Sequence, residues 1–297
     1  MGVCYGCRGL QQGGYKMALS QFSLDGRVAL VTGAGGKLGM GRATALAFAE
    51  AGADVAVTDL VTKGENWDLE GTAEEIRKLG RRAIATQADV TKEGDITGLV
   101  NKVAQEFGTI DVLANVAGIP ANAPLMEMTN EVWYKGLDTN LTSVLLFCQA
   151  VGKVMMEHKR GSIINWSSSA AFTMGGLSIY GITKIGIMHM TGWVARELAP
   201  YSVRCNAIAP GLIRTDFGAV GVQGFKEDNL QSRRTNYEER SRTIPLGRYG
   251  ESSEVADLAL FLASDASKYI TGQTIRIDGG IAVGSHNQAA RPPGSPP

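Results

Sequence analysis

The passage that most constrains this chain is Arg27 to Gly52, RVALVTGAGGKLGMGRATALAFAEAG, where a β-branched run passes into a glycine-rich loop and then into a helical pattern. Glycines let a backbone come close to a pyrophosphate, and a helix N-terminus behind them offers unpaired N–H groups and the positive end of a dipole. A glycine cluster alone is explained by any tight turn. The order strand, loop, helix is what makes this one a dinucleotide signal.

The rest of the chain repeats the theme. Arg27 to Thr32, Asp54 to Thr58, Ala83 to Thr86, Val112 to Asn115, Ser162 to Trp166, Ser202 to Ala207 and Thr274 to Ile277 read as strands, and patterns such as TAEEIRKLG, DITGLVNKVAQEFG and SEVADLALFLASD read as helices between them. Alternation of this kind predicts an α/β fold with a doubly wound parallel sheet of about seven strands and helices on both faces. No shift in composition divides the core, so residues 21–284 are expected to form a single domain. Residues 1–20 lack the apolar stretch of a signal peptide and are expected to be a disordered leader, and the Pro-rich residues 285–297 a disordered tail. Residues 216–243 make a long polar insertion, expected to act as a loop over the substrate. Its basic residues, among them Lys226, Arg233 and Arg240, have acidic neighbours to pair with.

Composition excludes several function classes. Lys+Arg and Asp+Glu both number 29, so no net field attracts nucleic acid or an anionic membrane. No apolar run approaches the roughly 20 residues of a membrane helix. Of the four cysteines, Cys148 and Cys205 lie in apolar segments and read as buried small residues, while Cys4 and Cys7 form a CxxC without a second ligand pair. No metal site is expected, and a reducing, cytoplasmic location is.

A second constellation lies in Ser167 to Lys184, SSSAAFTMGGLSIYGITK. Tyr180 and Lys184 are four apart, on one face if helical. A tyrosine of pKa about 10 is a poor proton carrier at neutral pH, and a cation close by lowers that value. The pair is suited to moving a proton at an alcohol oxygen. Back at the second strand, Asp59 ends the run; a carboxylate there accepts hydrogen bonds from ribose hydroxyls and repels a 2′-phosphate, which favours NAD over NADP. Lys37 in the glycine loop is the counter-signal.

With these residues the chain resembles the short-chain dehydrogenase/reductase family, in its compact single-domain branch, over about residues 24–283. The resemblance rests on the glycine loop from Thr32, Asp89-Val90, Asn115-Val116-Ala117-Gly118, Asn140, the serines with YxxxK, Pro210-Gly211 and the late IDGG. It implies a Rossmann-type fold and a catalytic set of Asn140, Ser168, Tyr180 and Lys184. Ser168, twelve residues before Tyr180, fits the family pattern, though Ser167 at thirteen also does. Cofactor contacts are implied for Gly33, Gly35, Leu38, Gly39 and Met40 in the loop and for Asp59 and Leu60 at the ribose. Asp89 and Val90 are implied beside the adenine, with Asn115, Ala117 and Gly118 after the fourth strand. Tyr180 and Lys184 are implied at the nicotinamide ribose, and Pro210, Gly211, Ile213 and Thr215 at the nicotinamide. The resemblance also implies that Asn140 marks a helix distortion holding a water. Two departures stand out: the loop is two residues longer than the family's TGxxxGxG, and Val116 replaces a common second asparagine.

The implied activity is an NAD-dependent interconversion of a secondary alcohol and a ketone. Trp166, Met174, Leu177 and Leu212 lean the expected substrate toward an apolar or cyclic one. Reduction of a carrier-bound 3-oxoacyl group is the alternative within the family, and a non-catalytic dinucleotide sensor the alternative outside it. No GxSxG elbow supports a serine hydrolase. The family also implies a homotetramer, with helices starting near Asn130 and Ser178 pairing across one interface and the last strand at another.

Overall fold

In a computed structural model, which describes residues 20–172, 178–215 and 241–283, the predicted alternation is realised. The expected leader, apart from Ser20, the tail, and nearly all of the 216–243 loop lie outside the described residues, as do Cys4, Cys7, Met174 and Leu177. Seven strands, β1 (Val28–Thr32), β2 (Asp54–Asp59), β3 (Ala83–Gln87), β4 (Val112–Asn115), β5 (Gly161–Trp166), β6 (Val203–Pro210) and β7 (Thr274–Ile277), form one sheet in the order β7-β6-β5-β4-β1-β2-β3. Every pairing in it is parallel. The helices are α1 (Met40–Glu50), α2 (Leu69–Lys78), α3 (Glu93–Phe107), α4 (Asn130–Leu137), α5 (Ser143–His158), α6 (Ser178–Leu198) and α7 (Ser252–Ala263). None of the described helices is long and apolar enough to cross a membrane.

The central strands are buried along their length because both faces of the sheet are covered there. Side chains alternate between two cores: Ala29 and Val31 of β1 join Phe48 of α1, Ile76 of α2 and Leu262 of α7, whereas Val28 and Leu30 join Val103 of α3, Phe147 of α5 and Ile187 of α6. Phe48 and Phe147 are the largest of the fully buried side chains, and truncating either to alanine is expected to cost about 3–5 kcal/mol. Trp166 is also core, at 2% exposure, so it does not line a substrate pocket; its position as the last residue of β5 turns it inward against Ile208 and Val255. Cys148 and Cys205 are buried free thiols.

The strand order reverses direction between β1 and β4. At such a switch point the connections leave on opposite faces and open a crevice beyond the carboxyl ends of the strands. Thr32, the last residue of β1, bridges that crevice's floor: its hydroxyl accepts from the Val116 and Ala117 amides, both at 3.0 Å.

Candidate active site

A cavity of about 650 Å³ opens over the ends of β1, β2 and β4. Gly33, with φ +65°, has Ala117 so close that an added Cβ would lie 2.9 Å from its Cα, and a Cβ on Gly41 would run into the Gly33 carbonyl. These two glycines are required by the chain's own packing. Gly36 differs, because a Cβ there would find its nearest neighbours only at 3.8 Å, and it lines the cavity. α1 begins at the same wall: Gly39, Met40 and Gly41 face the space, the Gly39 cap makes no side-chain hydrogen bond, and the first turn carries no acidic residue. That leaves a helix N-terminus suited to an anion.

The two extra loop residues have a structural partner that the sequence did not announce. After β2, Lys63–Gly64 and Trp67–Asp68 form a small antiparallel hairpin, and Gly36 pairs with Trp67 as its neighbour. Lys37 N–H donates to the Asn66 carbonyl at 2.9 Å, and Asp68 N–H to the Gly35 carbonyl at 2.8 Å. The Lys37 ammonium donates to the Glu65 carbonyl at 2.9 Å, so this cation is tied to the hairpin. The only signal in the sequence was the turn-prone GENW ahead of α2.

On the opposite side of the loop, Asp59 holds both carboxylate oxygens in place, Oδ2 accepting from Gly35 N–H at 2.9 Å and Oδ1 from Val61 N–H at 3.2 Å. Burial pushes its carboxyl above the ordinary range, against the pull of those amides. Further donors, such as a pair of hydroxyls, would relieve that cost. Leu60, Asp89, Val90, Ala117, Gly118 and Thr215 share the cavity wall with Asp59.

Other residues expected at the cofactor are engaged with groups of the chain itself. Asn115 is 3% exposed, and its amide donates to Asn165 Oδ1 at 2.9 Å across β4 and β5, so its side chain serves the sheet. Gly35 turns its Cα toward Asp59 and Val61, and Leu38 is a solvent-exposed side chain whose carbonyl accepts from Ser252. Pro210 ends β6 against Ile277, Gly211 follows it against Asp278, and Ile213 pairs with Gly250.

The titratable cluster abuts the cavity at Gly118, where a Cβ would lie 3.1 Å from Asn140 Oδ1 and 3.7 Å from Lys184 Nζ. Asn140 is fully buried within a π-helical turn, Asp138–Thr142, between α4 and α5. Its amide closes on one residue: Oδ1 accepts from Ile119 N–H at 2.8 Å and Nδ2 donates to the Ile119 carbonyl at 2.9 Å. The two serines separate cleanly. Ser167 is buried and donates to the Lys184 carbonyl at 2.9 Å, fastening β5 to α6, while Ser168 hydrogen-bonds the Tyr180 phenol. Asn165 reinforces that fastening by donating to Thr191 Oγ1 on α6 at 3.0 Å. Neither Asn165 nor Thr191 was singled out in the sequence, where a buried asparagine looks like any strand residue.

Lys184 shares a face with Tyr180 as the spacing predicted, but its hydrogen bond goes to the backbone. Its ammonium donates to the Trp166 carbonyl at 2.7 Å and lies 5.4 Å from the Tyr180 ring centroid. Desolvation therefore prevails: burial pushes the Tyr180 phenol up to about 12, partly offset by Ser168, and pulls Lys184 down to about 7. At neutral pH the phenol is a proton donor.

The family model described as enoyl-(acyl carrier protein) reductase matches residues 33–282. The chain belongs to the short-chain dehydrogenase/reductase family. It is 39% identical to the 3-oxoacyl-[acyl-carrier-protein] reductase FabG of Staphylococcus epidermidis over 255 residues, 85% of this chain and 98% of that one. The corresponding reductase of Synechocystis sp. is 40% identical over 264 residues, covering 88% and 99%. Among solved structures, a short-chain type dehydrogenase/reductase from Mycobacterium marinum superposes with a TM-score of 0.76 at 35% identity, covering 89% of this chain and 98% of that one. Members of this family are oxidoreductases that use NAD or NADP. The open face of Gly36, the uncapped start of α1 and the fixed Asp59 carboxylate fit such a group.

Proposed function

We propose that the chain reduces the 3-oxo group of an acyl thioester to a 3-hydroxy group, with NADH favoured over NADPH. The observation that carries the reading is the hydrogen bond between Ser168 and the Tyr180 phenol, which pairs two hydroxyl donors able to meet one carbonyl oxygen. The thioester class is supported by the named activity of the relatives. A dinucleotide in the cavity would be held by the α1 N-terminus and the Gly36 side of the loop, with Asp59 accepting from its ribose, and it supplies the hydride. Ser168 donates a hydrogen bond to the substrate carbonyl oxygen and holds it in line with Tyr180. As that oxygen gains charge, the Tyr180 proton passes to it, leaving a hydroxyl and a phenolate. Lys184, 5.4 Å from the ring, becomes the cation that stabilises the phenolate once it carries its proton. Asn140, clamped to Ile119, sets the turn on which Gly118 meets Lys184.

A small neutral ketone is the second reading. The described charged residues lining the cavity are Asp59, Asp89, Glu131, Asp138 and Lys135, a balance that offers little attraction to an anionic carrier. Oxidation of reduced dinucleotide should be followed with 3-oxoacyl thioesters, on coenzyme and on carrier, beside simple and cyclic ketones, each with NADH and NADPH. Turnover of thioesters at least tenfold more efficient than of free ketones supports the first reading, and the reverse ratio the second. Failure with every substrate while the dinucleotide binds would favour a sensor. We propose further that copies of the chain associate as a homotetramer through α4 and α6, where Tyr134, Ile182, Ile185 and Trp193 are exposed. Sedimentation of the wild type and of Ile185→Glu tests this.

A further inference from the structure

We infer that Trp67 is a cofactor-binding residue, and that the two extra residues of the glycine loop serve to hold it over the phosphate site. The inference deepens the proposed function and rests on reading the cavity as a dinucleotide site. Trp67 lines the same wall as Asp59, Leu60 and Val61, at the ends of the outer strands, which is the adenosine side of such a crevice. It belongs to the hairpin after β2, in which Lys63, Gly64 and Glu65 are exposed while Asn66, Trp67 and Asp68 are half-buried. A tryptophan on an exposed hairpin gains little from the core. Its indole instead lies over the phosphate loop, with Nε1 at 3.8 Å from where a Cβ on Gly36 would sit.

The anchoring is unusually complete for so short a segment. Gly36 pairs with Trp67, Lys37 and Asp68 exchange backbone hydrogen bonds with Asn66 and Gly35, and Leu69 N–H closes the base by donating to the Thr62 carbonyl at 2.9 Å. Asp68 then caps α2 by accepting from Gly71 N–H at 3.0 Å. The lengthened loop is thus bridged to the hairpin at Gly36. An indole so fixed presents an N–H donor to a pyrophosphate oxygen and an apolar face to the adenosine, with little side-chain freedom left to lose on binding.

The test uses ADP-ribose, which carries the adenosine and pyrophosphate and no nicotinamide, so binding is read apart from turnover. Calorimetric titration of the full chain should give an affinity about tenfold weaker for Trp67→Ala, equivalent to about 1.4 kcal/mol, and about threefold weaker for Trp67→Phe. The tryptophan emission change on adding ADP-ribose should be present in the wild type and largely lost in Trp67→Phe. Gly36→Ala, which has open space for its methyl, should keep the wild-type melting temperature and still weaken ADP-ribose severalfold. Wild-type affinity in both Trp67 variants, with an unchanged emission response, overturns the inference while leaving the dinucleotide reading intact. A wild type that binds neither ADP-ribose nor NAD overturns both.

Discussion

The two halves of the site solve the burial of polar groups in opposite ways. On the cofactor side, Asp59 has both oxygens on loop amides and the extra loop residues are paired with a hairpin, so the groups are held before any ligand arrives. On the catalytic side, Tyr180 and Lys184 are each driven by desolvation toward their neutral forms. The first half is built for recognition. The second leaves charge poorly solvated, which keeps the phenol protonated and brings the lysine close to its neutral form. The contrast lies in what offsets burial: Asp59, also raised by desolvation, is held by two backbone amides, whereas for Lys184 burial acts with nothing to oppose it.

Breaking the catalytic half should have the largest effect. Ser168→Ala is expected to lower kcat by about 10²–10³-fold, the range for losing one oxyanion-type donor, with dinucleotide affinity and melting temperature nearly unchanged; steady-state kinetics beside calorimetry checks this. Lys184→Met sharpens the electrostatic side of the comparison. Because the folded-state value of Lys184, about 7, lies below that of a free lysine near 10.4, the unfolded chain binds more protons between those values. Wild-type stability should therefore rise with pH from about 7 toward 10, at up to about 1.4 kcal/mol per pH unit, and the slope should vanish in Lys184→Met. Above about pH 10 the raised Tyr180 value acts with the opposite sign and stability should fall. Urea unfolding at a series of pH values measures both limbs.

On the cofactor side the effects are smaller and concern choice. Asp59→Ala should weaken NAD about tenfold and bring NADP to comparable affinity, because the carboxylate that repels a 2′-phosphate is gone; equal losses for both dinucleotides would remove Asp59 from the discrimination. The smallest effect is expected at the neighbouring serine. Ser167→Ala removes the second hydrogen bond to the Lys184 carbonyl, which keeps its helical partner, at about 0.5–1.5 kcal/mol of stability, with kcat reduced far less than by Ser168→Ala.

Much of this arrangement was legible in the chain. The seven strands were readable because a sheet covered on both faces needs unbroken β-branched runs, and each observed strand lies within a few residues of its prediction. The glycine loop, Asp59 and the Tyr180–Lys184 spacing were readable because backbone approach, strand ends and helical periodicity leave local signatures. What failed was long-range or directional. No local pattern says that Trp166 turns into the core, that Asn115 pairs with Asn165 across the sheet, or that Lys184 gives its ammonium to the Trp166 carbonyl before the phenol. The choice between Ser167 and Ser168 likewise depends on which way each side chain leaves the end of β5. The hairpin was missed because two-residue strands carry no periodicity at all.

Tyr180→Phe tests the central claim most directly, by measuring dinucleotide affinity calorimetrically and turnover of reduced dinucleotide on the same preparation. The account predicts affinity within about twofold of wild type, since the ring and the Asp59 half of the site remain, and a fall in turnover of at least about 10³-fold, since proton donation is lost at the reacting oxygen. Turnover retained within about tenfold, with the dinucleotide still bound, would contradict it and place the proton donor elsewhere in the chain.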